Sequence, residues 1–177
     1  MEGYMRKVLI VIDMQNDFID GSLGTPEAVG IVENVKEKIR QYDIKDVYAT
    51  RDTHGEDYLQ THEGKNLPVV HCIRGTKGWE IREDIMEMLD GATIIDKPVF
   101  GSTELVDLMV AENEKEAIEI ELIGLCTDIC VVSNALMLRS ALTETEIKVD
   151  PSCCAGVTVG SHEAALETMK MCQVVVS

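Results

Sequence analysis

Lys7-Val8-Leu9-Ile10-Val11-Ile12-Asp13 is an unbroken apolar, β-branched run that ends on a carboxylate. Without polar alternation, such a run predicts a strand buried on both faces, as inside a parallel sheet covered by helices. The rest of the chain repeats the theme. Strands are expected at residues 46–50, 92–96, 117–123, 146–149 and 173–176, with a short extended piece at 68–72. Helical spacing marks residues 28–42, with Ile31, Val32, Val35 and Ile39 on one face, and then 80–89, 104–111, 130–142 and 161–171. Strand-helix alternation of this kind implies an α/β fold, a three-layer α/β/α sandwich around a mostly parallel, Rossmann-like sheet.

Composition sets the outer limits. The 177 residues suit one domain, 1–177, with one sizeable core. Acidic residues outnumber basic ones 32 to 16, for a formal net charge of -16, and no basic patch is set apart. Nucleic acid and an acidic membrane surface are therefore not expected partners. The apolar runs are too short to span a bilayer, and the N-terminus lacks the apolar stretch of a secretory signal. A cytoplasmic protein with reduced thiols is the expectation for its six cysteines. Cys153 and Cys154 are adjacent, a poor geometry for an intrachain disulfide.

Ligands of open α/β sheets sit at the carboxyl ends of the strands, so the residues just past each strand matter most. Asp13 closes the first strand, where partial desolvation suits a carboxylate to proton transfer. Arg51-Asp52-Thr53-His54 follows the second, with His62, Glu63 and His71 further along, so three of the four histidines concentrate in one region. Imidazole and carboxylate ligands suit zinc, and also iron or manganese. Lys97 follows the fourth expected strand piece, where its ammonium can stabilise a thiolate or oxyanion. Gly124-Leu125-Cys126-Thr127-Asp128-Ile129-Cys130 joins the strongest strand to the strongest helix. Cys130 is expected in the first helical turn, where exposed N–H groups and the positive dipole end lower a thiol pKa.

These pieces, in this order, resemble the isochorismatase-like superfamily of cysteine hydrolases, and within it the nicotinamidases. Val11-Ile12-Asp13-Met14-Gln15-Asn16-Asp17-Phe18, Asp96-Lys97-Pro98 and Gly124-Leu125-Cys126-Thr127-Asp128-Ile129-Cys130-Val131 match its motifs, and the resemblance runs nearly the whole length. It implies an isochorismatase-type fold, with Asp13, Lys97 and Cys130 as the catalytic set. It also implies a cis peptide at Leu125-Cys126 that directs the Cys126 and Cys130 backbone N–H groups into one oxyanion hole. Asp52, His54 and His71 match a set of metal ligands, with Glu63 preferred over His62 as the fourth, for one divalent metal, zinc first and iron or manganese next. Ile73-Arg74-Gly75-Thr76-Lys77-Gly78-Trp79 resembles the segment that follows the metal histidine. An aromatic substrate wall is implied, for which Phe18, Tyr58 and Trp79 are the main candidates, with Phe100 in reserve.

The implied reaction is deamidation of nicotinamide through a thioester, in salvage of pyridine nucleotides. The implied partners are a small amide substrate and further copies of the chain in a homo-oligomer. Another amidase or ureide hydrolase of the superfamily would keep Asp13, Lys97 and Cys130 but act on a non-pyridine substrate. A non-catalytic ligand-binding or redox module on a flavodoxin-like scaffold would use the same crevice.

Overall fold

The computed structural model describes residues 5–177. Residues 1–4, on which the reading of the N-terminus partly rests, lie outside them. The strands are β1 (Arg6–Ile12), β2 (Val47–Asp52), β3 (Thr93–Lys97), β4 (Ile118–Leu125), β5 (Ile147–Ala155) and β6 (Val175–Val176). The helices are α1 (Asn16–Ile19), α2 (Pro26–Gly30), α3 (Val32–Ile39), α4 (His62–Asn66), α5 (Glu83–Met86), α6 (Thr103–Lys115), α7 (Val132–Ala141) and α8 (Val159–Met171). The strands form one sheet in the order β3-β2-β1-β4-β5-β6, with every neighbouring pair parallel.

The apolar run of β1 divides its side chains between two cores, as the period of two requires. Val8, Ile10 and Ile12 pack with Leu105 and Met109 of α6, Ala135 and Leu138 of α7, and Met169 of α8. Leu9 and Val11 face Phe18 and Ile19 of α1, Ala28 of α2, Val32, Val35 and Ile39 of α3, and Ile85 of α5. Each fully buried Leu or Ile of β1 contributes roughly 1.5–3 kcal/mol. The glutamates inside β4 do not break it, because they have partners. Glu119 pairs with Lys148 at 2.5 Å, and Glu121 with Lys38 at 2.9 Å while accepting from the Tyr42 hydroxyl.

Four elements depart from the sequence reading. The helix expected over 28–42 is two helices, because Gly30 and the β-branched Val29, Ile31 and Val32 weaken its middle. Of the helix expected over 80–89, only α5 and a 3-10 turn form, because Ile81 bridges Gln15 in an extended pairing. Residues 68–72 are irregular. In place of a strand over 146–149, β5 runs on to Ala155 through an irregularity, opposing Leu122 with Val149 but Gly124 with Cys154. That shift turns Cys153 toward one core and Cys154 toward the other. Among the described residues no helix is long and apolar enough to cross a membrane.

Gly124 of β4 stands opposite Ile12 of β1 with no room for a side chain. Its φ is +120°, and an added Cβ would lie 2.1 Å from the Ile12 carbonyl oxygen. Gly124→Ala is therefore expected to cost at least about 2 kcal/mol from backbone strain and displacement of β1. Urea denaturation reads this directly, and an unchanged midpoint contradicts it.

Candidate active site

The register of three parallel strands assembles the site. Ile12 lies opposite Thr50, and Asp52 opposite Lys97, so the ends of β1, β2 and β3 deliver Asp13, Asp52 and Lys97 to one edge. Asp13 turns off its strand with φ of 47°, in the left-handed region, which aspartate tolerates better than most residues. Its backbone N–H donates to the Thr50 carbonyl at 3.2 Å, and the Thr50 hydroxyl donates to its Oδ1 at 2.6 Å.

Lys97 Nζ lies 2.6 Å from Asp13 Oδ2, 3.6 Å from Asp52 Oδ1 and 3.4 Å from Cys130 Sγ, with its side chain wholly buried. Burial works against its charge, but Asp13, Cys130 and Asp52 more than offset it, so its pKa lies above the ordinary lysine value. Burial lifts the Asp13 carboxyl above its usual range, with Lys97 and Thr50 holding it down.

Cys130 sits in a wide π-type turn, Thr127–Val131, that precedes α7. Its placement at a helix start agrees with the sequence, but the expected fall in thiol pKa does not follow. Burial and the Asp13 charge push the thiol well above its ordinary value, and Lys97 pulls against them. Burial and the Asp13 charge both push Cys130 toward its neutral thiol form. The Leu125-Cys126 peptide bond is cis.

Asp52, His54, Glu63 and His71 each offer one ligand atom, and these atoms all lie within 4.8 Å of one another. His54 Nε2 is 2.8 Å from Asp52 Oδ2, while His71 Nε2 is 3.5 Å from the same oxygen and 3.6 Å from Glu63 Oε1. Tetrahedral ligands at ~2.1 Å from a zinc ion stand about 3.4 Å apart, so this donor set fits such an ion. His71 Nδ1 is 2.8 Å from the Val69 carbonyl, which leaves Nε2 to face the cluster. Burial raises the Asp52 carboxyl, but His54, His71 and Lys97 more than offset it and hold it below the usual carboxylate range. His62, the alternative fourth ligand, faces solvent beside Asn66, whereas Glu63 points into the cluster.

A cavity of about 180 Å³ opens beside both groups, lined by Asp52, Glu63, His71, Cys126 and Cys130 and by Phe18, Leu23, Leu67, Phe100, Ile129 and Val157. Two expected members of the substrate wall are elsewhere. Tyr58 is completely buried behind the candidate metal ligands, its ring against His54 and His71 and its hydroxyl donating to the Leu67 carbonyl. Trp79 donates to the Thr53 hydroxyl and stacks under Arg51, whose guanidinium lies 4.0 Å from the ring. Phe18 and Phe100 supply the aromatic surface of the cavity.

Several supporting residues escaped the sequence reading. Gln15 is fully buried. Its Nε2 donates to the carbonyls of Asp52 and Trp79, and its Oε1 accepts from the Asp52 N–H, which pins the end of β2. Asp17 accepts from the Cys72 N–H, and the Cys72 carbonyl accepts from the His54 N–H, which ties the segment holding His71 to that holding His54. Asn134 donates to the carbonyls of Cys130 and Phe100. Gln15 and Asp17 lie inside a quoted motif, but nothing in a linear sequence names partners 37 or more residues away.

A buried thiol, carboxylate and ammonium thus meet at the strand ends of a parallel sheet, where α/β enzymes bind their substrates. The chain belongs to the isochorismatase family, whose isochorismatase domain matches residues 7–177. It is 28% identical over 182 residues to the nicotinamidase/pyrazinamidase of Mycobacterium tuberculosis, covering 95% of this chain and 96% of that one. Among solved structures, the nicotinamidase of Bacillus subtilis superposes with a TM-score of 0.80 and 27% identity, covering 98% of this chain and 99% of that one. The pyrazinamidase of Pyrococcus horikoshii, solved in complex with zinc, superposes with a TM-score of 0.77 and 27% identity, covering 97% of this chain and 98% of that one.

The elevated thiol pKa has a direct chemical consequence. Alkylation of Cys130 by iodoacetamide, read by peptide mass spectrometry, is expected to be slow at pH 7 and still accelerating past pH 9. A rate that reaches its plateau below pH 8 contradicts a neutral resting thiol.

Proposed function

We propose that this amidohydrolase deamidates nicotinamide to nicotinate and ammonia through a thioester on Cys130. The observation that carries the reading is the placement of Lys97 Nζ, 2.6 Å from Asp13 and 3.4 Å from Cys130 Sγ, beside a cavity that is also lined by Asp52, Glu63 and His71, three of the four candidate metal ligands. The relatives named nicotinamidase and the zinc-bound pyrazinamidase support it.

In the proposed reaction the Cys130 thiol passes its proton to the Asp13 carboxylate as the sulfur attacks the amide carbon. Because burial and Asp13 favour the thiol over the thiolate, transfer and attack are coupled in this scheme, and Lys97 stabilises the charge as it moves. The amide oxygen becomes an oxyanion facing the backbone N–H groups of Cys126 and Cys130. Asp13 returns the proton to the departing nitrogen, and ammonia leaves. Asp13 then takes a proton from water, which attacks the thioester and releases nicotinate and the thiol. Asp52, His54, Glu63 and His71 would hold the metal, zinc being the best fit to two imidazoles and two carboxylates. When bound, it supplies a Lewis-acidic point on the cavity wall for the ring nitrogen of the substrate. Phe18 and Phe100 would flank the ring.

A second reading within the family is favoured by one observation. With Tyr58 and Trp79 outside the cavity, aliphatic Leu23, Leu67, Ile129 and Val157 share its apolar wall with Phe18 and Phe100. Such a wall also accommodates a non-aromatic amide or ureide. An ammonia-release panel of nicotinamide, pyrazinamide and simple carbamoyl compounds, on metal-analysed protein, separates the two. Turnover of nicotinamide is the expected result, and turnover of the carbamoyl compounds alone overturns it.

The division of labour predicts separate phenotypes. Cys130→Ala is expected to lower kcat at least about 10⁴-fold while retaining the metal content of the wild type. His54→Ala is expected to lose metal and mainly raise KM. Normal ammonia release by Cys130→Ala contradicts the thioester.

A further inference from the structure

The turn that carries the nucleophile is fastened to a second segment by contacts that the mechanism above does not use. Thr127, fully buried, places its hydroxyl 2.8 Å from His162 Nδ1, in the first turn of α8. The next residue, Asp128, accepts from the Val157 N–H with both carboxylate oxygens, at 3.1 and 3.2 Å. At Gly156, next to Val157, an added Cβ would stand 2.9 Å from His162, so the segment lies directly against α8. The α8 end is itself rigid, closed by a reciprocal capping box between Thr158 and Ser161.

The fastened parts share one cavity. Cys126, Ile129 and Cys130 line it from the turn, and Gly156 and Val157 line it from the other side of the two ties. Val157 is half exposed, so packing alone does not fix it, and the Asp128 carboxylate holds its backbone. Misplacement of a reacting group by about 1 Å is enough to cost roughly 10²-fold in rate.

We propose that Asp128 and His162 are positioning residues that lock the Cys130 turn to the Gly156–Val157 wall, so that nucleophile and substrate wall keep one fixed separation. The proposal rests on Cys130 being the nucleophile, and its test has a readout that needs no substrate. Asp128→Ala and His162→Ala remove one tie each. His162→Asn restores a polar group near the position of Nδ1 that can accept from or donate to the Thr127 hydroxyl, and Asp128→Asn keeps one oxygen for the Val157 N–H.

The test measures alkylation of Cys130 by iodoacetamide at fixed pH, with the buried Cys72 as internal control, beside kcat and KM for nicotinamide. The expected result is at least tenfold faster alkylation of Cys130 in the alanine variants, with Cys72 unchanged. With it come a kcat lowered at least tenfold, a smaller change in KM, and recovery of most of both effects in the asparagine variants. Equal acceleration at Cys130 and Cys72 marks general unfolding and overturns the positioning role, as does alkylation within twofold of the wild type. If nicotinamide is not a substrate, the alkylation contrast still decides the positioning claim, while the functional reading fails separately.

Discussion

The buried ammonium of Lys97 is the constraint around which the site is built. A cation taken wholly out of water is tolerable only when paired, and its removal would leave its anions buried without a partner. Asp13 at 2.6 Å, Asp52 at 3.6 Å and the Cys130 sulfur at 3.4 Å surround it. Each comes from the end of a different strand or from the turn after one. The parallel register of β1, β2 and β3 is thus under electrostatic as well as hydrophobic control. Slippage by one residue would turn Asp52 or Lys97 toward the opposite face.

Asp52 gives this arrangement a second function. Its Oδ1 faces Lys97, and its Oδ2 faces His54 and His71. One carboxylate therefore joins the Asp13–Lys97–Cys130 half of the site to the half that holds the candidate metal ligands. The surplus of acidic residues, which dominates the composition, has little part in either half. Around the site, individual carboxylates have individual partners, and the net charge of -16 describes the outer surface more than the chemistry.

Much of this was legible in the sequence, and for a physical reason. A strand buried on both faces must be apolar throughout, so the first polar residue after it marks the strand end where ligands bind. That logic marks the strand ends that carry Asp13, Asp52, Lys97 and Cys130, but their roles came only with the family motifs, since taken singly Asp13 reads equally as a turn residue and Lys97 as a loop lysine. What it misses depends on distance in the chain. Gln15 clamps Asp52 from 37 residues away, and Asn134 steadies Phe100 from 34. Tyr58 and Trp79 are aromatic residues near the site, but the sequence could not say whether they face substrate or support the scaffold. Both are scaffold: one backs the histidines, and the other stacks with Arg51. The Cys130 thiol was misjudged for the same reason. Its place at a helix start is a local property, whereas its burial and its nearness to Asp13 are tertiary ones.

The central claim is that the Cys130 sulfur forms a covalent bond to the substrate acyl group between Asp13 and Lys97. Acid quenching during turnover of nicotinamide, followed by mass spectrometry of the digested protein, tests it most directly. The account predicts a nicotinoyl adduct on the peptide containing Cys130 in the wild-type protein. Turnover at the normal rate with no adduct on any early quench, or an adduct on a different cysteine, would contradict it.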